Sequence, residues 1–173
     1  SEGAAPSPHS WAINTVVRYV FPGTRFTAGK TIPVSWYDGE RRPAAEVLAL
    51  AAGAKLPDQG SIFAGEKGAL LLPHVGAPVL LPADRFKDYP VPKLESLHHY
   101  HQFVEAVQGK GKTTAGFDYS CPLTEAVLLG PLATRFPSAT LEWDSKRLRF
   151  RNSKEASRFL RRSYRQGWKV KAL

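Results

Sequence analysis

The stretch "LHHYHQF", residues 97–103, holds three of the chain's five histidines. Imidazole can ligate a metal, move a proton near neutral pH, or donate and accept hydrogen bonds. Read as a helix over 97–108, the stretch puts Leu97, Tyr100, Val104 and Val107 at i, i+3, i+7 and i+10, one apolar stripe. That stripe is expected to be buried. His98, His101 and Glu105 fall together beside it, within about 60° of one another, while His99 points elsewhere. Two imidazoles and a carboxylate on one flank are donors that zinc accepts. The HExxH pairing is absent, however, and no Cys or Asp lies nearby to complete a shell, so no metal site is expected. Two readings remain. One is a boundary helix whose histidines bond to their neighbours, and the other is a helix flank that faces a ligand cleft.

Other apparent motifs carry less. "QGKGKTT" (108–114) looks like a phosphate-binding loop, but the glycine needed five residues before Gly111 is Ala106, inside the expected helix. The stretch reads better as a helix C-terminus stopped by Gly109. Neither G-x-G-x-x-G nor G-x-S-x-G occurs, so no dinucleotide fingerprint and no serine-nucleophile turn is present. Cys121, the only cysteine, precedes Pro122 and reads as a small packing residue rather than a reactive thiol. No residue is assigned a catalytic, cofactor-binding or metal-binding role.

The elements that must position the flank follow from periodicity. "NTVVRYVF" (14–21) and "TIPVSWYD" (31–38) alternate, with Val17, Tyr19, Phe21, Ile32, Val34 and Trp36 expected inward. Residues 42–54 read as a short helix with Pro43 in its first turn and Gly53 at its end. Residues 60–74 read as a hairpin around "GEKG", and 78–82 as a further strand. "DYPVPKLES" is an extended linker whose Ser96 could cap the histidine helix. Residues 117–136 are apolar on most sides, with Pro122 suited to a first helical position and Pro131 to a kink, and should form a buried helix. "ATLEWD" and "RLRFR" form a second hairpin with Leu141, Trp143, Leu148 and Phe150 inward. Residues 152–167 make an amphipathic helix capped by Asn152 or Ser153, ended by Gly167, and carrying Phe159 in its stripe. Strands and helices run in blocks. The expected class is therefore α+β, a predominantly antiparallel open sheet with helices packed on one face.

The 173 residues suffice for one cored domain. No apolar run approaches a membrane span, so no membrane partner is expected. Residues 1–10, "SEGAAPSPHS", read as a linker or cut point. The net charge of +9 is lodged in the tail. Residues 1–144 carry 13 Lys/Arg and 14 Asp/Glu; residues 145–173 carry 11 Lys/Arg and a single acid, Glu155. A solvated basic face is the expected reading, with a nucleic acid or other anionic partner as the alternative. The tail is expected to bury its aromatics Phe150 and Phe159 in its own stripes, which disfavours nucleic acid.

Several stretches, in this order, resemble the C-terminal domain of the Gfo/Idh/MocA oxidoreductases, the glucose–fructose oxidoreductase and inositol dehydrogenase group. They are "VRYVFPGT", "PVSWYDGERRP", "LPDQGSIFAGEKGALLLPHVGAPVLLP", "HHYHQFVEAVQGKGKTTAGFDYSCPLTEAVLLG" and "LEWDSKRLRFRNSKEASRFLRRSYRQGW". The likeness runs from about Trp11 to the end, so residues 11–173 would be that domain.

The resemblance implies a parent that pairs an N-terminal Rossmann domain, absent from this chain, with this substrate and oligomerisation domain. Such a parent moves hydride between NAD(P) and a sugar or cyclitol carbon. The family's proton-handling and nicotinamide residues precede the matching segment, so this piece alone should bind no cofactor and be inert. Its partners would be its own cofactor domain, a sugar-like substrate, and further copies through the open sheet face. His98, His101, Glu105 and Tyr37 are the substrate-cleft candidates, with Trp36 more suited to core. Cys121 stands where relatives carry Gly or a small residue. The cytoplasm is favoured as compartment, with export open if a signal precedes the segment.

Overall fold

The computed structural model describes residues 1–4 and 6–169. About a quarter of the chain is helix and a fifth strand, in small antiparallel sheets with separate helices, an α+β fold whose sheets are all open. The chain divides into two compact units. One contains Ser1–Val20, Pro33–Arg41 and Ala115–Leu173; the other contains Phe21–Ile32 and Arg42–Thr114.

In the second unit, Gly60–Gly65 (β3) and Gly68–Pro73 (β4) form the expected hairpin, with Gly65 opposite Gly68 and Ile62 opposite Leu71. Val79–Leu81 (β5) adds to β4, placing Ala69 opposite Leu81. Alternation decides what lies inside. Ala69 and Leu71 are buried on one face with Leu81, and Ala51 packs on them just beyond the short helix α1, Ala45–Ala49. Helix α2, Ala83–Phe86, follows β5 directly, and residues 89–98 have no regular structure, as their prolines predict. Helix α3, His99–Val107, comes next.

In the first unit, Val16–Pro22 (β1) pairs with Thr31–Tyr37 (β2) as a two-stranded sheet whose far ends belong to the second unit. Helix α4, Phe117–Ala133, is followed by a hairpin of Trp143–Asp144 (β6) and Arg149–Phe150 (β7), then α5, Lys154–Arg158. Leu132, Phe150 and Ala156 are the buried centre, ringed by Leu129, Phe136, Leu141, Trp143 and Leu160. Ser153 is the cap of α5, its Oγ accepting from the Ala156 amide at 3.0 Å.

Several expectations are corrected. Among the described residues the strands fall into three small sheets, so Ile32, Val34 and Trp36 on β2 stay exposed while Val17 on β1 is buried. Helix α4 starts at Phe117, five residues before Pro122, and continues through Pro131. Of its described residues only Gly130 and Leu132 are buried, because just its C-terminal turns meet the unit's core. Leu148 is exposed, since it sits in the β6–β7 turn at φ 46° rather than on the inward face. The last helix is one turn and a half instead of four, and Phe159, beyond its end, is half exposed.

Candidate functional site

Helix α3 begins at His99, and His98 is its N-cap, extended and without a side-chain cap bond. At the other end Gly109 takes φ 74° and its amide bonds to the Ala106 carbonyl, the stop its sequence predicts. The chain then turns back. The Lys110 amide donates to the Glu105 carbonyl at 2.9 Å. Gln102 Oε1 accepts from both the amide and the hydroxyl of Thr114, each at 3.0 Å. That double bond ties the loop 109–114 against the helix and leaves a cavity of about 330 Å³ between them.

The cavity is lined by Ser96 and Leu97 from the extended segment, His98, His101, Gln102 and Glu105 from the helix flank, and Gly111 and Lys112 from the loop. The structure therefore brings three of the four candidates, His98, His101 and Glu105, to one place. The rings of His98 and His101 stack, centroids 4.4 Å apart and 26° between planes. His99 stacks with His98 at 5.7 Å and packs against Tyr100, and does not line the cavity. Tyr37 belongs to the other unit, at the end of β2, and is not a lining residue. Helical spacing alone does not single out Ser96, Gln102 or Lys112. The signal for Lys112 lay in "QGKGKTT", whose Gly109 stops the helix and lets the chain fold back.

The stripe beside the flank is not buried. Leu97, Tyr100, Val104 and Val107 are all more than half exposed, because α3 carries no buried residue at all. Chemically the cavity offers imidazoles, a carboxylate, an amide, a hydroxyl and an ammonium, which together can donate to and accept from several hydroxyl groups. Among the described residues no group of three or more His, Cys, Asp or Glu side chains is placed to hold a metal ion, and no helix is long and apolar enough to cross a membrane.

The basic tail presents a different surface. Asp144 is buried and receives Arg147 at 3.3 Å and Arg151 at 3.6 Å, both arginines being mostly exposed. Arg135, from before the tail, lies over the Phe159 ring at 5.2 Å, and farther on Arg162 lies over Tyr164 at 5.4 Å and Arg165 over Trp168 at 4.0 Å. Phe159, Tyr164 and Trp168 are all exposed, which corrects the expectation that the tail buries Phe159. No protein-family model, curated protein or solved structure matches the chain.

Proposed function

We propose that the chain is the substrate-binding and oligomerisation domain of an NAD(P)-dependent oxidoreductase acting on a sugar or cyclitol, inert without its cofactor-binding half. One observation carries the reading beyond resemblance. The flank picked out by helical spacing alone, His98, His101 and Glu105, lines one cavity together with Ser96, Gln102 and Lys112. It is an open groove, its lining exposed except for Gln102, and that lining is richer in paired donors and acceptors than an apolar ligand needs. Such a lining suits a polyhydroxylated ring. The described residues hold no strand, glycine-rich turn and helix in sequence that would cradle a pyrophosphate, so no residue here is assigned to the nicotinamide cofactor and no step is routed through it.

The test is a titration of the chain with glucose, fructose and myo-inositol, followed through the imidazole proton resonances. Saturable shifts confined to His98 and His101, with no heat on adding NAD or NADP in either redox state, support the reading. Micromolar nicotinamide binding, or no polyol response at any concentration, overturns it.

A second reading rests on the exposed Arg-and-aromatic pairs of the tail. Basic side chains interleaved with open rings are what a single-stranded nucleic-acid groove uses. Under the first reading oligonucleotide binding is weak and gone at physiological salt, because phosphate contacts lose affinity steeply with ionic strength. Submicromolar binding that persists there replaces the first reading with the second.

A further inference from the structure

Residues 1–2 are held along the edge of β1. The Glu2 amide donates to the Val16 carbonyl at 2.8 Å, and the Val16 amide donates back to the Glu2 carbonyl at 3.0 Å. Two reciprocal bonds make Glu2 and Val16 directly opposed residues of an antiparallel ladder. Ser1 faces the other way. Its carbonyl accepts from the Ser138 amide at 3.0 Å, and its hydroxyl donates to the Ala133 carbonyl at 2.8 Å. The segment is thus fixed on both of its sides. The rest of that edge is bare. The Thr15 carbonyl accepts from the Asp38 amide and the Gly23 amide donates to the Lys30 carbonyl, two pairs of one register. In it the odd residues of β1 turn their backbone groups to β2, and the even ones turn theirs to the side of Glu2. Among the described residues nothing there bonds to the backbone of Arg18 or Val20. Val16, flanked on both sides, is 4% exposed, whereas Val20, on the same face, is 72% exposed. An edge with unpaired backbone groups is a template for a further strand. The charge of Arg18 that would deter one is engaged by the Glu2 carboxylate.

We propose that this edge is occupied by the segment of chain that precedes Ser1, running antiparallel to β1. Glu2 sets the register. The residue directly before Ser1 stands opposite Arg18, and the third before it opposite Val20, each exchanging two backbone bonds. No turn is needed, because Ser1 and Glu2 already direct the chain along β1. This favours the tethered segment over any other molecule: it meets the edge at a high effective concentration, and a rival strand has to displace it. The side chain opposite Val20 shares its face and covers it. Of the two-domain reading, only the presence of residues before Ser1 is needed. In that parent the two halves are then joined by a strand of this sheet, not by a loose linker.

The test is amide exchange in the longer protein. The amides of Arg18 and Val20 should exchange at least about tenfold more slowly there than in the chain from Ser1. The Val16 amide, bonded to Glu2, should be protected in both. A proline directly before Ser1 removes the donor aimed at Arg18 and should release both amides. A proline one position earlier, where the N–H faces away from β1, should not. The proline pair keeps the test sharp even if the chain from Ser1 fails to fold. Fast exchange at Arg18 and Val20 beside a protected Val16 in the longer protein overturns the proposal. So do equal effects of the two prolines, or a natural protein that starts at Ser1. Protection of both amides in the chain from Ser1 that grows with its concentration also overturns it, and gives the edge to a second copy. Failure of the functional reading is a separate result, since nicotinamide or polyol binding can be absent with both amides protected, and present with both open.

Discussion

The indole N–H of Trp143 donates to Oε1 of Glu125 at 2.7 Å, joining the β6–β7 hairpin to α4 across a partly buried gap. Trp143 also meets Phe150 edge-on at 5.2 Å, so the bond fixes one of the rings that close this unit's core. Glu125→Ala leaves a half-buried donor without its acceptor and should cost about 1–2 kcal/mol. Glu125→Gln keeps an acceptor oxygen and should cost less than half as much. Urea midpoints followed by tryptophan emission check this, and equal midpoints for Ala and Gln would remove the bond from the stability account.

Asp144 sets an acid limb. Burial by itself raises its pKa, but the Arg147 side chain and amide, with the charge of Arg151, outweigh burial and hold the carboxyl below its ordinary value of 3.8. A carboxyl whose folded pKa is depressed adds stability above the unfolded value and loses it as pH falls through the folded one. Wild-type stability should therefore drop more steeply than that of Asp144→Asn below about pH 4, while above it the wild type is the more stable of the two. Melting temperatures at stepwise pH decide it; parallel curves would contradict the assignment.

Gly130 makes room for Tyr19. A methyl group at 130 would overlap the Tyr19 phenol oxygen, whereas the ring carbon behind it lies at an ordinary 3.5 Å. Burial raises the Tyr19 pKa, consistent with a phenol held partly out of water. Gly130→Ala should destabilise by about 1–3 kcal/mol through this overlap, despite alanine's better helix propensity. In a Tyr19→Phe background the same change should be neutral or stabilising. A double-mutant cycle without coupling between the two positions would show that the ring moves aside freely.

What the sequence made legible was local. The two short apolar runs around "GEKG" and the two glycines of that turn mark the hairpin of β3 and β4, because both signals act within a few residues. The Gly109 stop and the Ser153 cap are likewise short-range backbone chemistry. Burial was the part misjudged. Periodicity says which face of α3 or α4 is apolar, not whether another element arrives to cover it, and Leu97, Tyr100, Phe117 and Leu128 are all open. The candidate site was half visible. Helical spacing put His98, His101 and Glu105 together, but Lys112 comes in through the Gln102–Thr114 bonds, a pairing 12 residues apart that no periodicity encodes.

That loop supplies the sharpest test of the cavity. If His98 and His101 donate to or accept from substrate hydroxyls, each contributes one neutral hydrogen bond, worth about 0.5–1.5 kcal/mol. In the two-domain parent proposed above, His98→Ala or His101→Ala should then lower substrate kcat/KM by roughly 2- to 13-fold, with cofactor KM unchanged. His99→Ala is the control, since His99 stacks on His98 without lining the cavity, and should leave kcat/KM nearly untouched. Gln102→Ala should act differently. It releases both Thr114 bonds, so the Thr114 amide should exchange with solvent faster, and substrate affinity should fall because Lys112 is no longer held at the rim. Steady-state kinetics on the four variants, with amide exchange on the last, separate contact from positioning. Wild-type kinetics in both His98→Ala and His101→Ala would leave the flank a surface helix rich in histidine, and the substrate would have to be sought elsewhere.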